Sequence, residues 1–93
     1  MEYAIIHNEA AQKFETEVEG YQANIEYALR DNTIIMLHTW VPRPIEGRGI
    51  AAALTKFALE YAKQKQLIVI PSCSYTRTYL NRHTEYQSLL SKD

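Results

Sequence analysis

The feature that most constrains this chain is a change of hydrophobic period at Thr33. Upstream of it, two runs alternate residue by residue. In Lys13–Val18, Phe14, Thr16 and Val18 face one way and Lys13, Glu15 and Glu17 the other. In Tyr21–Arg30, Tyr21, Ala23, Ile25, Tyr27 and Leu29 share one face. Period two over such lengths predicts half-buried antiparallel strands. Glu19-Gly20 and Arg30-Asp31-Asn32-Thr33 supply the turns, and Tyr3–His7 is a further short candidate strand. Downstream, Thr33–Val41 contains the unbroken apolar run Ile34-Ile35-Met36-Leu37, the pattern of a strand covered on both faces.

Pro42 and Pro44 then stop ladder pairing. From Ile50 to Lys65 the period becomes helical. Ile50, Leu54, Phe57, Ala58 and Tyr61 form one face, with Lys56, Glu60, Lys63 and Gln64 opposite. Leu67–Ile70 is a second apolar strand closed by Pro71, and Tyr75–Arg82 reads as a second helix ended by Asn81 or His83. A short amphipathic tail with Tyr86, Leu89 and Leu90 follows. A strand–helix–strand unit of this kind is parallel and right-handed. The expected fold class is therefore α+β: a mixed sheet made of an antiparallel meander, one parallel crossover and a C-terminal helix.

Ninety-three residues suit one domain with a modest core, so residues 1–93 are read as a single unit. A net charge of −1, with both signs mixed throughout, argues against a nucleic-acid partner, which needs a basic patch. The lone Cys73 allows no internal disulfide and fits a reducing compartment. No apolar run approaches the roughly 20 residues of a membrane span, and Met1-Glu2-Tyr3-Ala4-Ile5-Ile6 lacks a leader's basic start. A cytoplasmic protein without a membrane partner is expected, monomeric or a weak homo-oligomer through an exposed edge near Tyr3–His7. His7, His38, His83 and Cys73 show no metal-ligand spacing, so no metal is expected.

The loop between the central strand and the first helix carries Glu46-Gly47-Arg48-Gly49-Ile50-Ala51-Ala52. Glycines opening a helix leave backbone amides free and accessible, and the helix dipole adds positive potential there, so such a loop attracts phosphate. A P-loop would need Gly-Lys-Ser/Thr, and Ile50-Ala51-Ala52-Ala53 stands there instead. Gly47, Gly49 and Ala52 satisfy the dinucleotide spacing. However, Pro42–Glu46 separates them from the strand, and the second strand ends in Ile70-Pro71-Ser72 with no acidic residue.

The loop resembles the acyl-CoA signature of the GNAT superfamily of N-acyltransferases, Gln/Arg-x-x-Gly-x-Gly/Ala. More closely, the chain resembles the small single-domain GNAT-like branch in four segments: His38-Thr39-Trp40-Val41-Pro42, Glu46–Ala51, Pro71-Ser72-Cys73 and His83-Thr84-Glu85-Tyr86. The resemblance covers the whole chain. It implies that acetyl-CoA is the co-substrate and an amine, free or on a protein, the acceptor. It also implies that the amides of Glu46, Gly47, Arg48, Gly49, Ile50, Ala51 and Ala52 cradle the CoA pyrophosphate. The strand end at Thr39, Trp40 and Val41 would serve the acyl carbonyl, with the pantetheine arm lying where the two apolar strands splay apart. Glu46 stands where the superfamily prefers Gln or Arg, so its carboxylate should turn away or pair with Arg43 or Arg48. The N-terminal helices that build the acceptor pocket in larger relatives have no counterpart here.

Acyl transfer needs a polarised carbonyl, a neutral amine and an acid for the departing thiolate. Cys73 directly follows the second strand and is a buried hydrophobe, an acid, an acyl carrier or a lining group. His38 is a half-buried structural histidine or a base near the acceptor. Tyr75 and Tyr79 share a helical face. In larger relatives a tyrosine on this helix protonates the thiolate, and Tyr79 is preferred over Tyr75 for that role. Direct transfer in a ternary complex is the mechanism the resemblance implies. The alternative is a non-catalytic module that binds CoA or acyl-CoA and works with a protein partner.

Overall fold

The computed structural model describes residues 3–90; Met1 and Glu2, the start of the segment compared with a leader, lie outside them. Five strands form one sheet in chain order: β1 (Ile6–Asn8), β2 (Lys13–Val18), β3 (Tyr21–Arg30), β4 (Thr33–Trp40) and β5 (Ile68–Pro71). The pairs from β1 to β4 are antiparallel and β4–β5 is parallel. Helix α1 (Ile50–Gln64) makes the crossover, and α2 (Ser74–Arg82) leads into a 3₁₀ segment, Thr84–Leu89. The expected α+β class, meander and parallel crossover are all present. The strand proposed for Tyr3–His7 is shorter and begins at Ile6.

The two hairpins turn as their residues require. Glu19 and Gly20 both have positive φ, 53° and 83°, which matches a two-residue turn to the twist of its strands. Asp31, with φ of 55°, turns the second. Period two then decides burial on the sheet: Phe14, Ala23, Ile25, Tyr27, Ile34, Met36 and Val69 face inward and meet Ile50, Leu54, Ala58, Leu59, Tyr79, Leu80 and Tyr86 in one core. Removing an inner residue such as Ile25 or Leu54 costs about 2–5 kcal/mol by transfer plus cavity.

One expectation fails. The run Ile34–Leu37 is not covered on both faces. Both helices and the 3₁₀ segment pack on the inner face, leaving two layers rather than three. Leu37 is 48% exposed, Ile68 44% and Ile70 38% on the uncovered side. A single crossover helix can cover only the side to which it returns. Pro71 also belongs to β5, opposite Met36, so pairing ends just after it.

The register slips once. Met36 lies opposite Tyr27 but His38 lies opposite Glu26, so Leu37 is an extra residue bulging from β4. A bulge reverses which face every later side chain occupies. Thr39 therefore faces inward opposite Ile25, while His38 and Trp40 face outward opposite Glu26 and Asn24.

Candidate active site

Pro42 opens a 3₁₀ turn, Arg43–Ile45, whose buried Ile45 anchors the loop to the core. The chain then reaches α1 through Gly47 and Gly49, with φ of 80° and 76°. Only glycine adopts this region without a conformational penalty. A Cβ built at either position meets no atom within 4 Å, so both backbones face open space. The first helical bond runs from the Ala53 amide to the Gly49 carbonyl at 3.0 Å. The amides from Gly47 to Ala52 have no hydrogen-bond partner among the described residues. They converge on the positive end of a 15-residue helix.

The loop is tied from behind. Arg48 pairs with Glu19 at the β2–β3 turn, and the Arg48 carbonyl accepts the Tyr3 hydroxyl. The guanidinium holds the exposed Glu19 carboxyl below the usual range through its hydrogen bond and then its charge. Arg48 is thus not the partner of Glu46. Glu46 is exposed and makes no ion pair with Arg43 or Arg48.

A cleft of about 370 Å³ lies against this loop, lined by Val41, Ile45, Glu46, Gly47, Gly49, Ile50, Ala51, Ala52 and Tyr75. It brings the end of β4, the loop, the start of α1 and the first turn of α2 together. A larger open groove of about 610 Å³ runs along the far half of α1 at Phe57, Glu60, Tyr61, Lys63 and Gln64. It shares no lining residue with the loop cleft, so its greater size does not make it the site.

Beyond Met36 and Pro71 the parallel pair parts. Cys73 makes the last link: its amide donates to the Met36 carbonyl at 2.8 Å. Cys73 also precedes α2 as its N-cap residue and is 8% exposed. The Thr39 hydroxyl lies 3.3 Å from its sulfur. Burial pushes the Cys73 thiol up. The Thr39 hydroxyl, the Thr76 and Tyr75 amides and the Thr76 hydroxyl outweigh that and leave it below the usual cysteine value. The two amides act without closing a formal capping bond.

The remaining candidates separate. His38 is exposed on the outer face and does not share the face of Cys73. Trp40, 53% exposed, also points outward, while Thr39 reaches Cys73 and Val41 lines the cleft. Burial raises both tyrosines, keeping each phenol protonated. Tyr75 lines the cleft, whereas the Tyr79 ring is buried in the core and stacked on His83 at 3.9 Å. His83 Nδ1 lies 3.0 Å from the Tyr79 carbonyl, which only accepts, so Nδ1 carries the proton. Tyr3, Glu19 and Thr76 were missed as site residues. The only sequence signal among them is Thr76, three positions after Cys73 and hence on its side of the helix. No cluster of three metal-ligating side chains occurs among the described residues. No helix among them is long and apolar enough to cross a membrane.

The fold is shared with a solved structure and the sequence with a family model. The solution structure of a GCN5-like protein from Staphylococcus aureus matches with a TM-score of 0.74 and 30% identity, over 96% of this chain and 88% of that one. The family model of the GCN5-related N-acetyl-transferases matches residues 13–89, which include every strand from β2 onward, the glycine loop and Cys73. With most of its length matched by that model, the chain belongs to the GCN5-related N-acetyl-transferase family.

Proposed function

We propose that this protein transfers the acetyl group of acetyl-CoA to an amine by direct attack. The observation that carries the reading is the row of unpartnered amides from Gly47 to Ala52, opening on the cleft at the start of α1. Those donors and the helix dipole suit a pyrophosphate. The apolar walls Val41, Ile50, Ala52 and Tyr75 suit a pantetheine arm. The arm would point toward the gap past Met36 and Pro71, where strand amides of β4 no longer facing a β5 partner suit a thioester carbonyl. Tyr75, kept protonated by burial, supplies the proton for the leaving CoA thiolate. His38, on the outer face beside Glu26, stands apart from Cys73 and takes no part in the transfer itself. A cytoplasmic setting keeps the Cys73 thiol reduced.

Amide NMR during a CoA titration tests the donor half. Gly47, Gly49 and Ile50 should shift first, and an unchanged spectrum at millimolar CoA would sink the reading. Gly49→Val should abolish the shifts, because a β-branched side chain there blocks close approach to phosphate.

The bare outer face favours a second reading, a CoA-binding module that works with a protein partner. Among the described residues no element covers Leu37, Trp40, Ile68 or Ile70. Turnover with a broad panel of amines and peptides discriminates the two. Tight CoA binding with transfer to no acceptor would favour the module.

A further inference from the structure

The surroundings of Cys73 are built from hydrogen-bond donors. Its own amide is used on the Met36 carbonyl, which fixes the sulfur beside the end of β4. The Thr39 hydroxyl approaches to 3.3 Å from the strand, and the Tyr75 and Thr76 amides open α2 beneath it. Thr76 is the informative neighbour. Threonines in helices normally return their hydroxyl to the carbonyl four residues back. Thr55 does so to Ala51 at 2.8 Å and Thr78 to Ser74 at 3.1 Å. Thr76 does not. The Ser72 carbonyl it would use accepts from the Arg77 side chain at 3.1 Å. The Thr76 Oγ1 is fully buried and has no partner among the described residues. Such a hydroxyl is destabilising unless an acceptor lies next to it. The Cys73 sulfur lies three residues earlier on the same helical face, and a thiolate accepts far better than a thiol.

We propose that Thr39 and Thr76 are positioning residues that hold the Cys73 sulfur as an anionic hydrogen-bond acceptor, so that Cys73 takes a proton from the incoming amine. This gives Cys73 a proton-accepting role in place of the acid or acyl carrier considered above, at the site already described. It rests on the acyl-transfer reading only for the identity of the amine. In the reaction, an N–H bond of the ammonium breaks and its proton passes to Sγ. The freed lone pair forms the C–N bond. The carbon–sulfur bond to CoA breaks with its electron pair staying on sulfur, and the Tyr75 hydroxyl protonates that thiolate. The second proton shed by nitrogen restores Tyr75, and the Cys73 thiol returns its proton to solvent. The net change is one amide, one CoA thiol and one released proton.

Cys73 is the only cysteine in the chain, so thiolate ultraviolet absorbance against pH reports it alone. The wild type should titrate below the free-cysteine value of about 8.5. Thr76→Val and Thr39→Val keep shape and remove a hydroxyl, and each should raise the midpoint by about 0.5–1 unit. Thr76→Ser and Thr39→Ser should restore it, which also covers the case of a valine variant that does not fold. A merely structural Thr76 would leave the midpoint where it was on change to valine. That result, or a wild-type midpoint at or above about 8.5, overturns the proposal. The readout needs neither CoA nor turnover. Absence of acetyl transfer would thus count against the proposed function without moving this titration.

Discussion

The Tyr3 hydroxyl donates to the backbone carbonyl of Arg48, 45 residues along the chain and within the glycine loop. A second tie from the β2–β3 turn, Glu19 to the Arg48 guanidinium, holds the same residue. The loop that opens α1 is thus braced by two residues that do not themselves line the cleft. Bracing of this kind directs open amides at a ligand without an ordering cost at binding.

Tyr3→Phe should therefore cost little stability and more affinity. A neutral hydrogen bond contributes about 1 kcal/mol net, so urea denaturation should show a loss of that size or less. Isothermal titration should show CoA binding weakened about threefold to fivefold, consistent with the same free energy. An unchanged affinity would mean that the loop keeps its shape without Tyr3.

Gly49→Ala tests backbone conformation apart from crowding. The Cβ would meet no atom within 4 Å, yet φ of 76° lies in the left-handed region. The expected loss is about 1–2 kcal/mol of unfolding free energy. CoA affinity should fall by about tenfold or more as the Gly49 and Ile50 amides turn from the cleft. Equal stability with full affinity would show that the positive φ is unnecessary.

Tyr75→Phe and Tyr79→Phe should differ. Tyr75 lines the cleft, so its loss should lower kcat by about 10²-fold with little change in the KM for acetyl-CoA. Tyr79 packs on His83 in the core, so its loss should appear in the melting temperature rather than in kcat. The reverse pattern would return the acid role to Tyr79.

Cys73→Ser keeps a small polar side chain at the position before α2 but cannot ionise near neutrality. The rate of acetyl transfer should fall by about tenfold or more while CoA binding by NMR persists. Intact-mass spectra of the wild type with acetyl-CoA and no amine should show no added acetyl group. An acetylated Cys73 that passes its group to amine would replace direct attack with a covalent route.

His7 gives a pH dependence of known sign. Burial lowers its pKa below 6.5, partly offset by Glu9. The ring stacks on Phe14 at 4.3 Å and meets Tyr61 edge-on, with Nε2 hydrogen-bonded to the Tyr27 hydroxyl. The folded state thus disfavours the imidazolium. As pH falls below about 6.5 the unfolded chain takes up the proton first. Stability should be lost until the folded histidine also titrates, and then level off. Thermal melts of wild type and His7→Gln across that window should show the slope only in the wild type.

Much of the fold was legible because period is a local property. Phe14, Thr16, Ala23 and Ile25 announce their faces by alternation, and Glu19-Gly20 announces its turn. The helical spacing of Ile50, Leu54 and Ala58 announces the face that α1 buries. The glycine loop was legible for a similar reason: two glycines before a helix interior state what the backbone must do. Its braces were not, since nothing near Tyr3 or Glu19 in sequence refers to Arg48.

The order of strands, the crossover and the glycine-opened helix start were thus determined by the sequence alone. Which side chains meet at the site was decided only in three dimensions. The extra residue Leu37 sits between Met36 and Thr39, and no local pattern marks it, because the whole run is apolar. Its bulge depends on how β4 pairs with β3. By shifting the register one place it turns Thr39 toward Cys73 and His38 away, where strict alternation would have done the opposite.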